Sequence, residues 1–240
     1  MVIDIIEYSR ANHLFNLICL QIVYLEQFSM QNKKQRLIIT LMAIIVAAFI
    51  ILTIGVIIDP LSKIDTDFSA EVQEHANPML DHVMHDLSWA GYMPNSIYVV
   101  AGVALIFLLF HYKREALFTV LSSLSALAST LVKFVVNRQR PGAPFVHVLE
   151  KTAQKSFPSG HVIFYTAFFG FIILVMYNRR AIPKPVRLLV SGLCLLLILL
   201  IPLSRVYLGA HWFSDVTGGT LLGIICLYVL GYFYLRSNPA

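Results

Sequence analysis

Three short polar clusters interrupt a chain that is otherwise largely apolar. They are Lys133–Pro141 (KFVVNRQRP), Pro158–His161 (PSGH) and Ser204–Asp215 (SRVYLGAHWFSD). Together they supply a lysine, several arginines, two histidines and an aspartate, the residue types that bind a phosphoryl group and transfer it. Each cluster lies where an apolar run begins or ends, and charged residues at membrane boundaries are costly and usually functional. The pattern therefore indicates phosphoryl chemistry on a lipid.

The third cluster holds a histidine and a carboxylate four residues apart, His211 and Asp215. This spacing predicts that the two side chains share one face of a helix. A carboxylate that accepts the Nδ1 hydrogen of an imidazole fixes its tautomer and leaves Nε2 free to attack phosphorus. Arg205, which we expect in a loop after the fifth span, offers a planar set of donors to phosphate oxygens. An interfacial histidine beside a helix-terminal aspartate would show the same spacing, so the pair alone is ambiguous.

The second cluster is typical of a loop that enters a helix, the fourth span. Ser159 suits the N-cap position, Gly160 lets the backbone approach a ligand, and His161 in the first turn could donate a proton to a departing oxygen. In the first cluster, Lys133 and Arg140 are seven residues apart and share a helix face if the third helix extends to Arg140. Both clusters also have an ordinary explanation. Pro158–His161 could be a simple helix start, and Lys133 and Arg140 could anchor the chain at the membrane interface.

The chain that carries these clusters is too apolar for a soluble domain. Of its 240 residues, 58% are hydrophobic and 13% are charged, and its mean hydropathy is +0.75. A soluble domain carries about twice that charge, so we predict an all-α, polytopic membrane protein with six transmembrane helices. The predicted spans are Leu37–Ile58, Pro94–Phe110, Ala116–Val136, Val162–Tyr177, Leu188–Leu203 and Val216–Leu235.

Two segments lie outside these spans. Between the first and second spans, Phe68–Leu87 alternates apolar and polar residues at helical spacing, which predicts an interfacial amphipathic helix or an ordinary loop helix. Residues 1–29 form an N-terminal extension of uncertain status, because the apolar run Leu14–Leu25 is too short for a span and no signal-peptide cleavage motif follows it. Either the extension belongs to the natural protein or Met30 is the true start, and residues 30–240 form the six-span domain.

The charges of the connecting loops predict the orientation of the spans. Basic loops, such as the one with Lys113 and Arg114, fall on one side, which places both termini in the cytoplasm, whereas the acidic loop Asp59–Trp89 belongs outside. All three polar clusters then emerge on the exterior. The exterior loop with Arg138 and Arg140 opposes the charge rule, which indicates an anionic substrate. We attribute the net charge of +5 to the loops and expect the bilayer and a membrane lipid as partners, not nucleic acid.

The three clusters contain K-x6-R-P, P-S-G-H and S-R-x5-H-x3-D, complete and in order across Lys133–Asp215. In these motifs the chain resembles the type 2 phosphatidic acid phosphatase superfamily, and its layout is similar to that of the membrane-bound bacterial lipid phosphatases. The resemblance implies that residues 30–240 are a six-span lipid phosphatase domain in the cell membrane, with its active site at the exterior face. No cofactor or metal is implied, and the sequence has neither a Walker A loop nor an H-E-x-x-H motif.

The resemblance also implies a role for each motif residue. His211 would be the nucleophile that forms a phosphohistidine, with Asp215 orienting it. His161 would protonate the leaving oxygen and then help to activate water. Five residues would hold the phosphoryl group: Lys133, Arg140, Ser159, Gly160 and Arg205.

The substrate implied by the resemblance is a lipid phosphomonoester or diphosphate, with undecaprenyl diphosphate and phosphatidylglycerophosphate as the leading candidates. Two alternatives are open. A lipid phosphotransferase would pass the phosphoryl group to a second lipid, and a transporter or scaffold would only hold a headgroup on Lys133, Arg140 and Arg205. The sequence determines neither the lipid nor the oligomeric state.

The remaining candidate residues have simpler explanations. His82 and His85 form an H-x-x-H pair beside two aspartates in the acidic loop, which a polar helix face explains more simply than a metal site. His147, between the first two clusters, either contacts the substrate headgroup or is a loop residue. In the sixth span, three glycines have the small-residue spacing that favours close helix packing: Gly218, Gly219 and Gly223.

Overall fold

The computed structural model describes residues 33–150, 152 and 154–237, and every regular element within them is helical. The predicted extension, residues 1–29, and Met30 lie outside the described residues. Two 3-10 turns, Trp89–Gly91 and Ser122–Leu124, occur between helices. The α-helices of the described residues are α1 Lys33–Ile58, α2 Lys63–Gln73, α3 Pro78–Ser88, α4 Asn95–Leu109, α5 Lys113–Leu121, α6 Ser125–Val136, α7 Gly160–Asn178, α8 Lys184–Tyr207 and α9 Phe213–Arg236.

Five helical segments of the described residues are long and apolar enough to cross a membrane: α1, α5 continued into α6 (Lys113–Val136), α7, α8 and α9. The pair Pro78–Gly91 and Asn95–Leu109, bent by 60°, makes a sixth if it is one span. With 15 residues, α4 alone is about 22 Å long, which is short of a hydrocarbon core of about 30 Å. The predicted all-α, polytopic membrane architecture is confirmed, and the second predicted span is the one that depends on its bent neighbour.

The described residues from Val46 onward form one compact unit, and all candidate site residues belong to it. Within it, α7 packs against both α8 and α9 and forms the centre of the hydrophobic core. In the most apolar 18-residue stretch of α7, 67% of the residues are buried inside the protein, whereas the corresponding share for α8 is 11%. Because lipid tails solvate apolar side chains, a helix such as α8 can leave its apolar face outward in a membrane.

The amphipathic stretch between the first two spans is two helices, where we expected one. Pro78 disfavours helical backbone at the preceding residue, and Asn77 is extended, with φ −153° and ψ 158°. The Asn77 side chain instead accepts a hydrogen bond from the Leu80 backbone N–H at 3.0 Å and caps α3. The break lets α2 and α3 pack separately against α8. It matters for the site because α2 carries Asp65, which is buried.

The third predicted span ends where the sequence indicated, at Val136. The helix therefore does not reach Arg140, as a shared helix face with Lys133 would require. α6 ends at Val136 because Asn137 adopts left-handed backbone, with φ 52° and ψ 30°. Arg140 therefore lies in the loop beyond α6. Lys133, in the last turn of the helix, and Arg140 do not share a helix face, and they must meet through the fold of the loop.

The fifth span is longer than its hydropathy predicted. α8 continues to Tyr207, four residues past the predicted end at Leu203. Arg205 therefore lies in the last turn of α8 and not in a loop. The chain then turns sharply at Gly209, whose φ is +64° and where a Cβ would collide with the backbone oxygen of His147. Only glycine fits this turn without strain.

The glycines of α9 bring its first turns against the start of α7. A Cβ at Gly219 would lie 2.9 Å from the backbone oxygen of Ser159, and one at Gly223 would lie 2.6 Å from Cβ of Thr166. Gly218 packs in the same way against the ring of Phe157. These contacts are the close helix packing that the small-residue spacing predicted. They set the two polar helix starts side by side.

Candidate active site

The polar clusters converge at one end of the helices, around a cavity of about 640 Å³. The cavity lies between the C-terminal ends of α6 and α8 and the N-terminal end of α7. Two more predicted residues, Ser159 and Asp215, are buried behind its wall and are fully inaccessible. The predicted residues that line the cavity are Lys133, Arg140, Gly160, His161, Arg205 and His211.

His211 and Asp215 approach each other, but not on a shared helix face. His211 precedes α9, whose first residue is Phe213, so the turn at the helix start brings the two side chains together. Nδ1 of His211 lies 3.5 Å from Oδ2 of Asp215, and Nδ1 has no hydrogen-bond partner among the described residues. The Asp215 carboxylate also accepts the Trp212 backbone N–H at 2.9 Å. A small movement of the imidazole would convert the ion-pair distance into a hydrogen bond.

The surroundings of His211 keep its imidazole neutral. Burial, together with the positive charges of Arg140, Lys133 and Arg205, lowers the pKa of His211 well below its ordinary value. Nη1 of Arg140 lies 3.1 Å from Nε2 of His211. Because a guanidinium only donates, this contact favours an unprotonated Nε2. A neutral imidazole with a lone pair on Nε2 is the form that acts as a nucleophile.

Asp215 belongs to a buried network that the sequence did not reveal. Arg138, which the sequence analysis placed in a basic exterior loop, is 3% exposed. Its Nη1 donates to Oδ1 of Asp215 at 2.6 Å, and its Nη2 donates to Oδ2 of Asp65 at 2.7 Å. Ser156 Oγ donates to Oδ2 of Asp215. These contacts fix the carboxylate beside His211 from two sides.

The same network ties α2 to the start of α9. Asp65 accepts hydrogen bonds from the backbone N–H of Ser214 at 2.8 Å and from its hydroxyl at 2.8 Å. Asp65 precedes Arg138 by 73 residues and lies in a loop with many other carboxylates. No local spacing separates it from them, so a single sequence holds no signal that would have found it.

Backbone carbonyls hold two of the three cations of the first cluster, Lys133 and Arg140, in place. Nε of Arg140 donates to the Gln154 carbonyl at 2.6 Å, and Nζ of Lys133 donates to the Lys155 carbonyl at 2.5 Å. Burial and the charge of Arg205 lower the pKa of Arg140 to about 10, so it is still charged at neutral pH. Carbonyls orient these cations without neutralising them, so the positive charge is available to an anion.

Arg205 has a carboxylate partner, Glu150, which the sequence analysis did not single out. Nη1 and Nη2 of Arg205 donate to the two oxygens of Glu150, each at 2.7 Å. The hydroxyl of Tyr92 donates to Oε2 of Glu150 at 2.5 Å. Burial acts to raise the pKa of Glu150, but its hydrogen bonds with Arg205 outweigh this effect, and the pKa lies below its ordinary value. Glu150 therefore carries a negative charge inside the cavity wall.

Several buried polar atoms near the cavity have no hydrogen-bond partner among the described residues. They are Ser129 Oγ, Ser159 Oγ, His161 Nε2 and Arg205 Nε. Ser159 does occupy the predicted N-cap position of α7, but its side chain makes no capping bond and its N–H donates to the Asp215 carbonyl at 3.0 Å. Buried polar groups without partners are costly, and at the rim of a cationic cavity they fit a ligand rich in acceptors, such as a phosphate.

The other sequence candidates lie apart from the cavity lining. His147 is exposed and makes backbone hydrogen bonds with Gln73. His85 stacks on the Tyr92 ring at 5.3 Å between centroids, and His82 lies on the same helix. Within residues 33–150, 152 and 154–237, no group of three or more histidine, cysteine, aspartate or glutamate side chains is arranged to hold a metal ion.

Comparison with known proteins agrees with this geometry. The family model of the PAP2 superfamily matches residues 115–239. Phosphatidylglycerophosphatase B of Bacillus subtilis is 25% identical over 193 residues, which cover 77% of this chain and 90% of that protein. Decaprenylphosphoryl-5-phosphoribose phosphatase of Mycobacterium tuberculosis is 36% identical over 96 residues, which cover 40% of this chain and 47% of that protein. The second match thus spans about half of the mycobacterial relative.

Two solved structures share the fold. The crystal structure of a transmembrane PAP2-type phosphatidylglycerolphosphate phosphatase from Bacillus subtilis superposes with a TM-score of 0.73 and 20% identity, covering 82% of this chain and 97% of that one. The crystal structure of Aquifex aeolicus LpxE superposes with a TM-score of 0.54 and 19% identity, covering 73% of this chain and 97% of that one. At these identities the likeness concerns the helical architecture alone.

Proposed function

This chain belongs to the PAP2 superfamily and is a membrane lipid phosphatase, and from that premise we propose a phosphohistidine mechanism centred on His211. One observation carries the proposal: the neutral imidazole of His211 lines the same cavity as the cations Lys133, Arg140 and Arg205. The cations that lower the pKa of the nucleophile would also stabilise the negative charge of the transferring phosphoryl group.

In the first proposed step, the lone pair on Nε2 of His211 attacks phosphorus. The bond between phosphorus and the lipid oxygen breaks, and its electron pair leaves with that oxygen. His161, protonated when the phosphate dianion binds beside it, gives its proton to the leaving oxygen. In-line transfer requires the leaving oxygen to face away from His211, and the unpartnered Nε2 of His161 in the same cavity is suited to that side.

In the second proposed step, water replaces the lipid alcohol. His161, now neutral, takes a proton from the water, whose oxygen attacks phosphorus. The bond between phosphorus and Nε2 of His211 breaks, and inorganic phosphate leaves. The positive charge on the phosphorylated imidazole would be stabilised by Asp215, whose carboxylate lies 3.5 Å from Nδ1 and is oriented by Arg138.

The phosphoryl oxygens would be held by donor groups that no carboxylate occupies. Lys133 and Arg140 contribute uncompensated charge, and Arg205 contributes its unpartnered Nε. The backbone of Gly160 and the hydroxyl of Ser159 belong to the start of α7, where the helix dipole favours an anion. These donors need no metal ion to balance the charge, which is why we propose a metal-independent reaction.

The lining of the cavity also fits a lipid. Along α6 it continues from Lys133 through Thr130 and Ser129 to Ala126, seven residues or about 10 Å back along the helix. Met93 and Phe164 add apolar surface on the neighbouring elements. We infer that the phosphate binds at the polar end and that the lipid tail extends along this apolar lining. The loop charges support cytoplasmic termini and a site at the exterior face.

We propose phosphatidylglycerophosphate or undecaprenyl diphosphate as the substrate. The Bacillus relative is named for phosphatidylglycerophosphate and favours that lipid. The mycobacterial relative is named for a decaprenyl-linked phosphate, which supports a polyprenyl substrate such as undecaprenyl diphosphate. The same phosphohistidine would serve a lipid phosphotransferase, which would yield a phosphorylated acceptor lipid in place of free phosphate.

The test is phosphate release by the purified protein in the presence of EDTA, with both candidate lipids and phosphatidic acid as substrates. We expect release that survives EDTA and falls to background in His211→Ala. Protein that is denatured in alkaline detergent during turnover should carry phosphate that is labile to acid and stable to alkali, as a phosphohistidine is. Lys113→Ala, at the other end of the helices, is the matched control and should keep wild-type turnover. Equal losses in the two variants would refute the assignment of His211.

A further inference from the structure

The cavity contains a negative charge that binding of a phosphate does not explain. Among the described residues that line it, Glu150 is the one with a carboxylate, beside three cations. Its side chain is 18% exposed, whereas its partner Arg205 is 1% exposed. Anionic substrates are repelled by a carboxylate in their binding site. The carboxylate of Glu150 therefore either has little effect on the bound substrate or helps to select which substrate binds.

Glu150 is held firmly, so it is not a group that the substrate simply displaces. Both of its oxygens accept from Arg205, and one also accepts from Tyr92. Its backbone is fixed as well, because the N–H groups of Leu149 and Glu150 both donate to the Leu208 carbonyl, at 3.1 and 3.2 Å. Displacement would break two charge-assisted hydrogen bonds, which are the strong kind.

Arg205 can bind a phosphate while it keeps Glu150. Its two terminal nitrogens bind the carboxylate, and its Nε is buried without a partner. Nε, together with the second N–H of Nη2, is therefore left for phosphoryl oxygens. On this arrangement Glu150 stays in place during the reaction, and its charge acts on every bound substrate.

Glu150 borders the side of the cavity where the leaving group would lie. Tyr92 bonds to Glu150 and sets its ring edge-on against His161, with 4.8 Å between centroids. His161 is the proposed donor to the leaving oxygen, so the group attached to that oxygen passes Tyr92 and Glu150. The apolar lining at Met93 begins next to Tyr92, which is consistent with this path.

We propose that Glu150 is a specificity-determining residue that selects lipid phosphomonoesters against lipid diphosphates. This inference rests on the proposed function. When a lipid phosphomonoester reacts, the leaving group is a neutral lipid alcohol, which Glu150 tolerates. When a lipid diphosphate reacts, the leaving group is a lipid monophosphate that carries negative charge, which Glu150 repels. Within one cavity, the cations then favour the phosphoryl group that is transferred, and Glu150 disfavours a second phosphate behind it.

The test compares farnesyl monophosphate with farnesyl diphosphate, two probes that share one apolar chain. The measured quantity is kcat/KM for the diphosphate divided by kcat/KM for the monophosphate. Dividing the ratio of each variant by that of the wild type cancels the different reactivities of the two leaving groups. Glu150→Gln should raise this ratio at least about tenfold, since it removes one unit charge a few ångströms from the second phosphate.

Two further variants separate charge from positioning. Thr152→Lys adds a positive charge at another lining residue and leaves the Arg205 pair intact, so it should raise the same ratio even if Glu150→Gln does not fold. Glu150→Asp keeps the charge but is too short to bind both nitrogens of Arg205. It should slow both substrates and leave the ratio near that of the wild type. Glu71→Gln, which removes one charge from an exposed position, is the control and should change nothing.

The possible failures are distinguishable. If Glu150→Gln and Thr152→Lys lower both rates equally and leave the ratio unchanged, Glu150 only positions Arg205 and the inference is overturned, while the proposed function stands. If the wild type hydrolyses neither probe, or if His211→Ala hydrolyses them at the wild-type rate, the proposed function itself fails.

Discussion

The two ends of α7 and α9 are both rich in arginine, yet they use it differently. At the N-terminal ends of these helices, Arg138 and Arg205 pair with carboxylates, but backbone carbonyls hold Arg140 and Lys133 around a cavity of about 640 Å³. At the C-terminal ends, Arg179 pairs with the carboxylate of Glu115 at 2.6 Å beside a cavity of about 100 Å³. A carbonyl orients a cation without adding negative charge to the site, whereas a carboxylate adds one negative charge beside it.

This difference separates a binding site from a structural ion pair. Glu115 is 1% exposed, and its Oε1 also accepts from the hydroxyl of Tyr234 at 2.8 Å, so the carboxylate is paired inside the helix bundle. In the larger cavity, Glu150 is the single carboxylate among the described lining residues, and it leaves an excess of positive charge there. The number of arginines is therefore a poor guide to a phosphate site, and the partner of each arginine is a better one.

Among the variants that keep the nucleophile His211, the largest expected effect at the cationic end follows the change Asp215→Asn. The amide leaves the geometry similar but removes the charge that stabilises a protonated or phosphorylated imidazole. We expect kcat to fall by roughly two to four orders of magnitude, by analogy with the aspartate of serine hydrolases. Initial rates of phosphate release measure it. A loss of less than about threefold would mean that the contact at 3.5 Å has no part in the chemistry.

A smaller effect is expected for Arg138→Met, because Arg138 orients Asp215 without lining the cavity. The variant leaves Asp215 and Asp65 without their shared cation, and a misplaced catalytic group costs up to about a hundredfold in rate. We expect kcat to fall between about tenfold and a hundredfold with KM nearly unchanged, and Arg138→Lys to recover part of the loss. A raised KM at constant kcat would instead make Arg138 a substrate ligand.

The cationic end also makes a prediction about pH. Because burial and neighbouring cations depress the pKa of His211, the nucleophile stays neutral below the usual pH range of histidine protonation, and activity should persist there. Removing one cation raises this pKa, so Lys133→Met should shift the acidic limb of kcat/KM to higher pH. The pH profiles of the wild type and of Lys133→Met are measured with the same substrate. The ionisation of the substrate then affects both profiles equally. An unchanged limb, or one moved to lower pH, would contradict the electrostatic account of His211.

The helical architecture and the motif residues could be predicted from the sequence because both depend on local patterns. Apolar runs predicted the spans, and fixed spacings marked Lys133, Arg140, His161, Arg205 and His211, all of which line one cavity. Helix ends were harder to predict. Hydropathy averages over a window, so it missed the polar last turn of α8. The helical spacing of Phe68–Leu87 continues across Pro78, so it did not show the break between α2 and α3.

The partners of the motif residues could not be predicted, because they are distant in sequence and have no characteristic spacing. Asp65 is one carboxylate among several in an acidic loop, and only the fold places it against Arg138. Glu150 lies between two motifs and meets Arg205 55 residues later in the chain. Charge was visible in the sequence, but the pairing of charges is a property of the tertiary structure.

The smallest catalytic effect is expected at the opposite end of the helices, where Arg179→Gln removes the cation of the Glu115 pair. A buried carboxylate that loses its partner is destabilising, and since Arg179 is one-third exposed, we expect a loss of about 1–2 kcal/mol. Thermal unfolding in detergent measures this loss, while kcat/KM should stay within about twofold of the wild type. Glu115→Gln, which leaves a neutral side chain in the same place, should destabilise less than Arg179→Gln. A large loss of kcat/KM in a folded Arg179→Gln protein would show that the two ends are coupled, and the contrast between a structural pair and a binding site would then be wrong.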